Sequence, residues 1–139
     1  MSAEISLSAN HLRSVSVTMY LIEKSIIETE ELLLNKSKGV CFEVINDLQE
    51  YEVQMMLEKI SGLKKLINNL ATKYQLKKNT SFTSRILQAK YSRMWEILGD
   101  TFSKRLKGFG ELPDDVASEL DSDLNQMMEI IEQLLHFKK

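Results

Sequence analysis

With 139 residues, 43% of them hydrophobic and 27% charged, the chain has the length and composition of one globular domain spanning 1–139, which excludes wholesale disorder and a fibrous repeat. Its one cysteine, Cys41, excludes an internal disulfide framework, and no apolar run approaches the roughly 18 residues that a membrane-spanning helix needs. The first residues carry neither the basic start nor the apolar centre of a secretory signal, so a cytoplasmic chain without a membrane partner is expected.

Apolar residues recur in steps of three and four along the chain, which is the repeat of a helix that buries one face. The first predicted helix runs from Ser8 to Lys38 on Leu12, Val15, Met19, Ile22, Ile26 and Leu33, and Gly39 supplies its stop. A second runs from Val40 to Lys78 on Met56, Ile60, Leu63, Ile67, Leu70 and Tyr74. Gly62 does not change the phase of that stripe, so one long helix is expected, bent at most. Cys41 falls in its first turn, and its spacing to Ile45 and Leu48 predicts a core position.

The hydroxyls of Thr80 and Ser81 are candidate caps for a third helix on Leu87, Tyr91, Met94, Leu98, Phe102 and Leu106. Lys104, Arg105 and Lys107 suit the negative end of its dipole, and Gly108 and Gly110 then break it. Pro113, the chain's one proline, suits the first turn of a fourth helix, with Asp114 and Asp115 following at the positive end. This helix carries Ala117, Leu120, Leu124, Met127, Ile131 and Leu134. Together these stripes predict an all-α, four-helix up-and-down antiparallel bundle with short connections and a long second helix.

The net charge of −2 conceals a strong segregation. Residues 1–58 hold 4 basic and 10 acidic side chains, residues 59–110 hold 12 and 2, and residues 111–139 hold 2 and 8. An antiparallel bundle would gather Lys73, Lys77, Lys78 and Arg85 at one end, joined there by Arg13, Lys138 and Lys139. Such an end is a candidate anion-binding surface for nucleic acid or phosphate. The cluster is rich in Lys rather than Arg and has no exposed aromatic residues between its charges. A basic face compensated by acidic neighbouring helices is therefore the preferred reading, and nucleic acid is not the favoured partner.

Charges that interrupt an apolar stripe need partners. On a helical wheel Glu52 and Lys59 fall within the second stripe, Glu23 and Glu30 at the edge of the first and Arg105 within the third. They define a candidate polar layer near one end of the bundle, close in level to Asp115. It would serve as an interhelical ion network or, alternatively, as a site for a small cationic or zwitterionic molecule or a metal.

Signatures of catalysis are missing from the sequence. It contains no P-loop, no Gly-x-Gly-x-x-Gly, no Cys-x-x-Cys and no His-Glu-x-x-His, and Cys41 has no histidine near it in sequence. Glu129, Glu132 and His136 share the polar face of the last helix and read as a solvated stripe rather than a metal centre; no metal and no cofactor are expected. The first helix is apolar around more of its circumference than one core requires. Tyr20, Ile27 and Leu34 recur at seven-residue spacing beside the main stripe, while Val17, Leu21 and Leu32 lie nearer the opposite side, and Val17, Tyr20, Leu21, Ile27 and Leu34 form a candidate interface. The resulting expectation is a non-enzymatic interaction or assembly module that forms a homodimer or binds a protein partner. A nucleic-acid-associated subunit and a small-molecule or metal-binding bundle are the alternatives.

Overall fold

A computed structural model describes residues 6–35 and 37–137, so Lys138 and Lys139 lie outside the described residues. The described chain is all-helical, with five α-helices and one 3-10 turn. They are α1 (Ala9–Leu34), α2 (Glu50–Tyr74), α3 (Thr83–Gly99), α4 (Ser103–Leu106), the turn Lys107–Phe109, and α5 (Asp114–Leu135). The chain divides into two compact units, Met1–Asn79 and Thr80–Lys139.

In the first unit α1 packs on α2. Ser8 caps α1 by accepting the His11 amide hydrogen at 3.2 Å, and the helix closes at Leu34 with Asn35 extended. The stop therefore comes before the expected Lys38. Gly39 has a different duty. It lies in a tight reversal in which its N–H donates to the Phe42 carbonyl at 2.8 Å and Lys38 pairs with Glu43 in an isolated antiparallel bridge. A Cβ on Gly39 would come within 2.8 Å of the Phe42 ring, so a larger residue there would make that exposed ring turn aside.

The segment after this reversal is not helical, contrary to the expected start of the second helix at Val40. Asn46 accepts the Leu48 N–H through its side chain at 3.0 Å, which offers the backbone a turn in place of a helix. The second helix begins at Glu50 with Gln49 as its cap, where the Gln49 N–H donates to the Glu52 carboxylate at 2.9 Å. Cys41 consequently sits exposed in the connection and not in a core. The connection itself, Asn35 to Gln49, is longer than the short link expected.

From Glu50 the helix runs unbroken through Gly62 to Tyr74. It ends on Gln75, a non-glycine residue held in the left-handed region (φ 53°, ψ 50°). The Leu76 N–H reaches back to the Ala71 carbonyl at 2.9 Å and the Gln75 N–H to Thr72 at 3.3 Å, the two bonds of a Schellman turn. Ile60 and Ile67, one heptad apart, are the well-buried side chains of this hairpin.

In the second unit α3 packs on α5. The two run in opposite directions, because Tyr91 meets Phe137 edge-to-face at 6.3 Å while Trp95, further along α3, faces Glu132, earlier on α5. Thr80 and Ser81 do not cap α3; Phe82 holds that position with extended backbone and makes no side-chain cap bond.

The expected third helix is divided in two. At Gly99–Thr101 the Thr101 hydroxyl donates to the Ile97 carbonyl at 3.2 Å, Phe102 turns extended, and α4 starts anew at Ser103. The break is anchored from α5: the N–H of Ser103 donates to the Asp121 carboxylate at 2.8 Å and its hydroxyl donates to the other oxygen. Gly110, at φ 148°, then takes a conformation that only glycine adopts freely. Pro113 stands as the cap immediately before α5, with Asp114 and Asp115 in the first turn as expected. Ala117 and Leu124, again a heptad apart, are the buried apolar side chains of this unit.

Candidate functional site

The first unit has an open cleft of about 560 Å³ along the flank of α1. Val17, Met19, Tyr20, Glu23, Lys24 and Ile27 form one wall. Ile67, Asn68 and Ala71 of α2 form the other, and Leu76, Lys77 and Lys78 close one end. The Schellman turn puts that end wall in place. By reversing the chain at Gln75 it swings Leu76 and the two lysines back beside α1, instead of letting them continue along α2.

The cleft unites residues that the sequence placed in three separate groups. Val17, Tyr20 and Ile27 belong to the expected interface, Lys77 and Lys78 to the expected basic end, and Glu23 to the expected polar layer. Lys24, singled out by no pattern, adds a third ammonium and lies 5.9 Å from the centre of the Tyr20 ring one turn earlier. Three ammoniums and one carboxylate leave the cleft net positive over an apolar floor. Sequence periodicity could not reveal this set, because it depends on a left-handed residue that no helical wheel represents.

The remaining members of those groups are distributed as follows. Glu30 does pair, through both carboxylate oxygens at 2.8 and 2.9 Å, but with Lys64 of α2 rather than with a member of the expected layer. Both side chains are about a third exposed, so the pair contributes about 0.5 kcal/mol and serves chiefly to fix register. Glu52 is occupied at the start of α2, and Lys59 is exposed on the same helix. Arg105 is exposed on α4, and Asp115 is exposed in the first turn of α5.

Lys73 lies 5.4 Å from the centre of the adjacent Tyr74 ring, and Arg85 is exposed in the first turn of α3. Leu21 and Leu34 are strongly exposed, at 57% and 63%.

In the second unit, Glu129, Glu132, Gln133 and His136 border a shallow concavity of about 340 Å³. His136 Nδ1 lies 2.7 Å from the Glu132 carbonyl oxygen, which fixes the proton on Nδ1 and commits that nitrogen to the backbone. No group of three or more metal-ligating side chains comes together among the described residues. The Asp121 carboxyl has a lowered affinity for protons. The Ser103 hydroxyl, then the Ser103 N–H, and least of all Lys107, hold it below the ordinary carboxylate value against an opposing effect of burial.

In the second unit α5 also carries exposed apolar side chains. Val116, Met127, Ile130 and Leu134 lie on one face outside the Ala117–Leu124 seam, with Ile130 59% exposed. No protein-family model matches the chain, and neither a curated protein nor a solved structure matches it.

Proposed function

We propose that the chain is a non-enzymatic helical module that self-associates through α1, with antiparallel bundle packing completed in the assembled state. The observation that supports this reading is the apolar surface of α1. Val17 and Leu21 are more than half exposed, Ile27 is 43% exposed, and no α1 side chain reaches full burial against α2. Covering apolar area contributes about 25 cal/mol per Å², so uncovered leucine and isoleucine faces of this extent favour a partner that removes them from water. A homodimer is the simplest such partner, since a two-fold axis covers the same face on both copies.

Sedimentation velocity across the micromolar range tests the reading. The wild-type protein is expected to sediment as a dimer, and Val17→Asp with Ile27→Asp is expected to convert it to a folded monomer, because both side chains are exposed and their replacement costs the fold little. A wild-type monomer throughout that range would reject it.

A further inference from the structure

We infer that the cleft of one copy receives the outer face of α5 from a second copy, with the lysines at the cleft's end meeting Glu119 and Asp123. The inference rests on the self-association reading and names its contact. Along α5, Val116, Glu119, Asp123, Met127, Ile130 and Leu134 follow one another in steps of three and four, so they share one face. All six are exposed. A neighbouring arc, about 100° round the helix through Ala117 and Leu124, is the one used against α3. The face is therefore zoned, with two carboxylates after Val116 and a run of apolar side chains beyond them.

The cleft has the complementary zoning. Lys77 and Lys78 stand at one end, where α1 contributes Val17, and Ile27 and Ile67 lie toward the other. The lengths agree as well. Val17 to Ile27 spans ten helical residues and Glu119 to Ile130 eleven, each about 15 Å at 1.5 Å per residue. Seating that face would place two carboxylates against two ammoniums and put Met127 and Ile130 over the apolar floor.

Two helices packed side by side leave a groove that a third helix fills by ridge-and-groove packing, and an acidic amphipathic helix is the occupant whose charge this groove favours. A second copy supplies that helix and, about a two-fold axis, receives one in return, so the assembly closes at two.

A charge-exchange experiment tests the contact. Lys77→Glu with Lys78→Glu, and separately Glu119→Lys with Asp123→Lys, alter only exposed side chains. Circular dichroism checks that each variant stays helical, and sedimentation reads its dimerisation constant. Each variant alone faces like charges at both contacts and is expected to dimerise about tenfold or more weakly than wild type. Mixed together, the two variants have opposite charges at both contacts, and a heterodimer close to wild-type affinity is expected. If either variant loses helicity, the glutamine versions of the same positions replace it, and each is expected to weaken the dimer and flatten its salt dependence.

Variants that dimerise like wild type, or a mixture that yields no heterodimer, would overturn the proposed contact while leaving self-association through α1 intact. A wild-type protein that is monomeric would overturn both.

Discussion

The contact of Ser103 with Asp121 shows how one carboxylate can define a structural boundary. Leu98, Phe102 and Leu106 keep a four-residue spacing across Gly99–Thr101, so the stripe reads as continuous while the backbone is not. What the pattern omits is that Asp121, an ordinary polar position on α5, accepts two hydrogen bonds from a residue at the start of α4. The consequence is pH-dependent. Because the folded carboxyl binds protons less readily than the unfolded one, its contribution is fully present above the ordinary carboxylate pKa and is lost as pH falls through its depressed folded value. Urea midpoints followed through Trp95, the one tryptophan and a member of the same unit, should fall as the pH is taken from 5 toward about 2. In Asp121→Asn that part of the acid limb is expected to flatten. An unchanged limb would mean that the two hydrogen bonds do not persist in solution.

At the level of elements, the sequence located every long helix but misjudged several ends. The middle of α2 was legible because Ile60 and Ile67 really are its buried positions, and Gly62 falls on the exposed side, where no packing contact is lost. Its start was hidden because the cap is Gln49, a residue type that does not advertise a helix N-terminus as Ser or Asp would, while the apolar residues before it imitate another turn of helix. Its end was hidden because Gln75 occupies a conformation that normally calls for glycine.

That last substitution makes a test. Gln75→Gly relieves a left-handed side chain, worth about 1 kcal/mol, without touching the cleft walls, and thermal melts should show a rise of several degrees. A lower melting temperature would show that the glutamine side chain makes a compensating contact.

For the molecule as a whole, the sequence showed an all-helical chain, zones of opposite charge and an over-apolar first helix. It did not show that these zones meet in one cleft. The polar layer proposed for Glu23, Glu30, Glu52, Lys59 and Arg105 assumed straight helices counted outward from short turns. The long connection between α1 and α2 and the divided third helix both shift that count.

The connection has one more effect. Because it holds the chain's only thiol, exposed at Cys41, oxidation can join two copies and can never extend the chain of links further. Aerated samples run on a non-reducing gel should therefore show two bands and no ladder, and Cys41→Ser should remove the upper one. A covalent pair of this kind would counterfeit an assembly held by α1, which is why reductant belongs in every measurement of how many copies sediment together.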